Sequence, residues 1–262
     1  MEAHAMNEDR VTRPTAARKP LCLVTGGASG FGFELAQAFA EAGCDLVLAG
    51  DGSVELDLAA EELAGMVPEV EIHWVSADLS RASGPATLHQ KLLTLARPID
   101  IFVANTSVGA WGEFGRPASL TDELATAQIN AMSTLHLSRL IGKDMASRGG
   151  GQIMLASSQA ASSCPFDTLQ SATRAFTTAL AEGLGHELEG GGVSVTALCP
   201  EVEAEGPYVR IQDHDALVEL ARVARARAFS RRVGGAKQPL LQDDIKARYE
   251  RYLRLSAESP MA

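Results

Sequence analysis

Leu21-Cys22-Leu23-Val24-Thr25-Gly26-Gly27-Ala28-Ser29-Gly30-Phe31-Gly32 is an apolar run that ends in a glycine-rich turn and opens into a helical pattern. That context gives the glycines their meaning. They let the backbone turn sharply and leave room for a pyrophosphate, whose charge faces the amides at the positive end of the helix. Gly26, Ser29, Gly30, Phe31 and Gly32 are therefore candidate cofactor-binding residues. The alternative reading is a tight turn that needs glycine for packing alone.

Outward from this stretch, short apolar runs alternate with amphipathic ones. Leu46–Leu48, Glu71–Val75, Ile101–Val103, Ile153–Leu155 and Val193–Leu198 read as further buried strands. Helical patterns lie between them at Phe31–Ala42, Val54–Gly65, Ala86–Ala96, Thr121–Ala146 and Phe166–Glu189. Such alternation predicts an α/β fold: one Rossmann-like, doubly wound parallel sheet with helices on both faces. Residues 1–19, polar and without an apolar core, read as a flexible N-terminal extension, and 20–262 as one domain. Within it, 201–262 reads as a substrate-loop or lid region with little strand pattern, ending in a polar helix over Pro239–Leu255.

A hydrophobic content of 46% suffices for one well-filled domain. The absence of any apolar run near 18 residues predicts no membrane span and, with no signal peptide, a cytoplasmic protein. A net charge of −10 argues against nucleic acid as a partner. Cys22, Cys44, Cys164 and Cys199 lack metal-ligand spacing and read as reduced thiols, so no metal is expected.

Asp51 follows the second strand in Leu48-Ala49-Gly50-Asp51-Gly52. A carboxylate there accepts hydrogen bonds from a ribose 2′-hydroxyl and repels a 2′-phosphate, which favours NAD over NADP.

From about Pro20 to Pro200 the chain resembles the short-chain dehydrogenase/reductase family. The resemblance rests on the glycine motif, on Ser76-Ala77-Asp78-Leu79, and on Gln128-Ile129-Asn130-Ala131. Gly151-Gln152-Ile153-Met154-Leu155-Ala156-Ser157-Ser158 and Gln170-Ser171-Ala172-Thr173-Arg174-Ala175-Phe176 complete it in the family's order. The resemblance implies that Asp78 holds the adenine amino group, where the plain reading is a solvated loop aspartate or a helix cap. It also places the ribose acid one position before Asp51, where this chain has Gly50. The four catalytic positions become Asn130, Ser158, Gln170 and Arg174, and relatives hold Asn, Ser, Tyr and Lys there. In the family the tyrosine exchanges a proton with the substrate oxygen while the lysine lowers its pKa and grips the nicotinamide ribose. Gln170 has no useful acidity. Arg174 keeps a positive charge that can bond a ribose but does not relay protons.

The only tyrosines are Tyr208, Tyr249 and Tyr252, and no lysine lies between Lys143 and Lys237. Asn105 stands in Ala104-Asn105-Thr106-Ser107, where the family has Asn-Asn-Ala-Gly, and joins the cofactor set. Pro200-Glu201-Val202-Glu203-Ala204-Glu205 replaces a Pro-Gly stretch that wraps the nicotinamide amide. The departures cluster at the nicotinamide end. Three functions follow: a non-catalytic NAD-binding subunit in a homo- or hetero-oligomer with an intact homologue; an atypical oxidoreductase acting on a carbonyl or hydroxyl through Ser158, Gln170 and Arg174; and a nucleotide-responsive regulator or non-redox enzyme.

Overall fold

A computed structural model describes residues 18–105, 119–156, 168–199, 208–210 and 214–232. Seven parallel strands form one sheet in the order β3-β2-β1-β4-β5-β6-β7. They are β1 Leu21–Thr25, β2 Asp45–Gly50, β3 Ile72–Ser76, β4 Ile101–Ala104, β5 Gly151–Ala156, β6 Val193–Cys199 and β7 Tyr208–Arg210. The helices are α1 Gly30–Glu41, α2 Ser53–Met66, α3 Gly84–Leu93, α4 Leu120–Ala127, α5 Thr134–Ser147, α6 Thr168–Leu188 and α7 His214–Arg232.

Strands buried on both faces read as unbroken apolar runs, and β1 shows why. Cys22 and Val24 join Leu46, Leu48, Ile101 and Val103 under α1, α2 and α7. Their neighbours Leu21 and Leu23 join Val47, Phe102, Ile153 and Leu155 under α3, α5 and α6. The period of two thus feeds two cores from one strand. Cys22 and Cys44 are free and buried, and burial pushes both thiols up, Cys44 to about 12. They are packing residues rather than nucleophiles at neutral pH.

The chain order reverses between β1 and β4, so the loops after these strands diverge and leave a crevice at the carboxyl edge. The glycine turn enters this crevice.

Three elements depart from the sequence reading. The stretch read as one helix from Thr121 to Ala146 is interrupted by a π turn, Gln128–Ser133, between α4 and α5. Inside the segment read as lacking strand pattern, β7 adds an edge strand beside β6. There too, α7 packs on α1 through small and aliphatic residues such as Ala216, Leu217, Leu220 and Ala221. His214 of α7 bonds Glu41 of α1 at 3.1 Å. Residues 1–17 of the N-terminal extension, Cys164 and the helix expected over Pro239–Leu255 lie outside the described residues, while Arg18 near the extension's end donates to the Pro98 carbonyl at 3.2 Å. Among the described residues no helix is long and apolar enough to cross a membrane.

Candidate functional site

The turn after β1 is built by steric necessity. Gly26 and Gly30 have φ of 66° and 53°, in the left-handed region that favours glycine. A Cβ on Gly32 would stand 1.9 Å from the Gly26 carbonyl oxygen and 2.5 Å from Asn105 Nδ2. Helix and turn therefore touch backbone to backbone. A Cβ on Gly30 would meet nothing within 4 Å, so that side of the turn is open. No side chain caps α1, and its first turn carries no acid. Among the described residues no carboxylate competes for the leading amides of α1, which fits a pyrophosphate. Ser29 is exposed beside them, and Phe31 packs partly against the first core.

Asn105, the residue after β4, closes the crevice from the far side. Its amide N–H donates to Thr25 Oγ1 at 3.2 Å. Nothing in the sequence motif singles out Thr25. Its hydroxyl links the two strands that flank the switch point.

Asp51 is exposed just beyond β2, and Ser76 Oγ donates to its backbone carbonyl at 3.0 Å. The Gly50–Ser76 register pairing places that serine, which sequence inspection alone did not single out. The Asp51 side chain itself stands in solvent. Asp78 is already engaged. Oδ1 accepts from the backbone N–H and hydroxyl of Ser80 at 3.0 and 2.5 Å, and Oδ2 accepts from Arg81 Nε at 2.8 Å. The Ser80 hydroxyl, and then the Arg81 guanidinium, hold this carboxyl below its usual range.

At the other end of the crevice, the π turn carries Asn130, which is buried. A π turn widens the helix and misplaces carbonyls from their usual partners. Hydroxyls answer for them: Thr134 Oγ1 donates to the Asn130 carbonyl at 3.1 Å, and Ser133 Oγ to that of Ile129. Helix α6 packs on the π turn, so Asn130 lies against the helix that bears Gln170 and Arg174. Gln170 begins a buried stripe with Thr173, Thr177 and Ala181, and is itself 6% exposed. Arg174, one turn on, is half-buried. Ser158, Thr106, Ser107, Glu201 and Glu205 lie outside the described residues. Among the described residues no group of three His, Cys, Asp or Glu is placed to hold a metal.

The short chain dehydrogenase family model matches residues 20–204, and the chain belongs to that family. It is 30% identical over 177 residues to a very-long-chain 3-oxoacyl-CoA reductase of Aspergillus terreus, covering 66% of this chain and 50% of that protein. The chain thus spans about half the length of such relatives. A metagenomic short-chain oxidoreductase in complex with NADP superposes with a TM-score of 0.71 at 21% identity, covering 85% of this chain and 94% of that one. NAD+-bound xylitol dehydrogenase gives 0.64 at 21% identity, covering 71% and 72%. These two likenesses establish the Rossmann-like fold, and one neighbour carries NADP while the other carries NAD.

Proposed function

We propose that this chain is an NAD-binding member of the family that works as a non-catalytic subunit, partnered by an intact short-chain dehydrogenase in a hetero-oligomer or by its own copies. The observation that carries the reading is Gln170, buried on α6, the helix that packs on the π turn, at the position where the family resemblance calls for a tyrosine. A carboxamide donates hydrogen bonds but cannot exchange a proton with a substrate oxygen at neutral pH. The fold offers no nearby replacement in sequence, since the first tyrosine is Tyr208 and no lysine lies between Lys143 and Lys237.

The residues present suit the nucleotide's adenosine half. The amides of Ser29 to Gly32 would hold the pyrophosphate, with Gly26, whose own N–H donates to the Ala49 carbonyl at 2.7 Å, giving the turn room to approach; Asp51 would hold the ribose and Asp78 the adenine amino group. Asn105 and Arg174 would face the second ribose. The chemistry that NAD supplies when bound is acceptance of a hydride at the nicotinamide. The exposed carboxylate of Asp51 supports NAD over NADP, because no basic side chain in the Gly50-Asp51-Gly52 turn would offset a 2′-phosphate.

A second reading, an atypical oxidoreductase, is favoured by one feature. Gln170 and Arg174 are four residues apart on α6 and so share a face, where together they would polarise a carbonyl with Ser158. Loss of a general acid costs roughly 10²–10⁴-fold, which leaves slow turnover measurable.

Calorimetric titration with NAD, NADH, ADP-ribose and NADP separates these. The subunit reading expects NAD and ADP-ribose to bind alike and NADP more weakly. A clear preference for NADH, with turnover of a ketone by the isolated chain, would return the second reading to the front. No binding of any of the four would sink both.

A further inference from the structure

At the opposite end of the sheet from the glycine turn lies a cavity of about 330 Å³ between α3, α5 and the segment that leads into β4. From its lining we infer that it is a second ligand site, for a small neutral molecule with an apolar body and a hydroxyl group. Nothing in the nucleotide reading uses these residues.

Four independent features converge on the cavity. Ala96 in its wall has φ of 50°, and it is the one non-glycine residue with positive φ among the described residues. An alanine in that conformation costs about 1 kcal/mol, and such strain gathers where a segment is held for binding. Beside it, Arg97 gives its terminal nitrogens to Asp45 and Glu71 at 2.6 and 2.9 Å, yet its Nε–H is buried with no acceptor. Across the cavity, His89 Nε2 and Asp144 Oδ2 lie 2.7 Å apart, tying α3 to α5. Asp144 is 42% exposed at its side chain, and no donor among the described residues reaches its Oδ1. Finally, Leu93 lies 56% exposed on the rim, above the buried Ile99 and Ile141.

These features specify the ligand. A volume near 330 Å³ sits at the lower end of small-molecule sites. Leu93, Ile99 and Ile141 supply apolar wall. The charges are mixed: Arg97 is paired with Asp45 and Glu71, and the Asp144 carboxylate shares the lining with the Arg148 guanidinium, so no single sign of charge dominates. What remains open is an acceptor at Asp144 Oδ1, while Arg97 Nε stays buried in the wall. A ligand hydroxyl would donate to that oxygen.

The test uses the full chain with isoleucine and leucine methyls labelled for NMR, titrated with 4-propylphenol and with its methyl ether, 4-propylanisole. Saturable shifts at Ile99, Ile141 and Leu93 are expected for the phenol, at an affinity at least fivefold tighter than for the ether. Asp144→Asn should narrow that gap to less than twofold. Leu93→Arg, a change at an exposed position that leaves the core intact, should weaken both compounds at least fivefold. Shifts that do not saturate, equal affinity for phenol and ether in the unaltered chain, or shifts confined to the glycine-turn end of the sheet would overturn the inference. None of these readouts depends on whether NAD binds.

Discussion

At the carboxyl edge of β1 and β2, the groups that would meet a nucleotide are backbone amides and a single carboxylate. At the edge of β4 to β6 they are side chains borne by the π turn and α6. In the first region geometry is dictated by what cannot be present: a Cβ at Gly32 would collide with the Gly26 carbonyl. In the second, Asn130 and the helix bearing Gln170 and Arg174 are positioned by side-chain packing between the π turn and α6 rather than by any backbone-to-backbone contact. Exchanging the reactive groups of one region therefore need not disturb the other.

The hardest way to break the contrast is Gly32→Val. With backbone 1.9 Å from the new Cβ, the turn must move, and overpacking of this kind costs about 3 kcal/mol. Because the displaced turn carries the amides that would hold the pyrophosphate, NAD binding should weaken roughly tenfold or more, measurable by calorimetry. Unchanged binding would show that α1 and its turn do not hold the nucleotide.

Asp51→Ala sharpens the cofactor side. A hydrogen bond to a charged acceptor contributes about 1.5–3 kcal/mol, so NAD should weaken roughly ten- to a hundredfold while NADP changes little. An equal loss for both nucleotides would place Asp51 outside the ribose site. The companion measurement is Gln170→Ala and Arg174→Ala at the other end. If the adenosine half alone is used, each should change NAD affinity by less than about threefold, against roughly 1–2 kcal/mol lost in stability on truncating the buried Gln170.

The sequence shows the adenosine half better than the nicotinamide half for the same physical reason. Glycines at 26, 30 and 32 announce a backbone conformation, and unbroken runs such as Leu21–Val24 announce a sheet covered on both faces. The π turn has no such signature. Its only trace is Ser133 and Thr134, whose hydroxyls back-bond to the carbonyls of Ile129 and Asn130. Helix α7 was hidden because its buried alanines and aliphatics, Ala216 to Val218, Leu220, Ala221, Val223 and Ala224, are interleaved with Glu219, Arg222 and Arg225, which give the segment a polar character. Strand β7 was hidden by its length of three residues. The cavity beneath α3 and α5 draws His89, Ala96 and Asp144 from separate stretches, so only the fold brings them together.

Asp78 is the finest test of the comparison, because its carboxylate already has protein partners on both oxygens. The Ser80 hydroxyl, followed by Arg81, lowers its pKa in the folded chain. A depressed folded value means that the carboxylate adds stability above its unfolded pKa of about 3.9, and that this increment is lost as pH falls through the lower folded value. Comparing Asp78→Asn with the unaltered chain by urea unfolding should therefore give a constant gap from pH 5 to 7 that closes below about pH 4. The gap should be under about 1 kcal/mol, since the pair is 43% exposed at Asp78 and 77% at Arg81 and is screened by solvent. Repeating the measurement with NAD present decides what the carboxylate is for. A larger gap in the presence of the nucleotide means that adenine adds a donor to an acceptor the protein has already oriented. An identical gap means that the Ser80 and Arg81 contacts are the whole of its role, and that adenine is held by other groups.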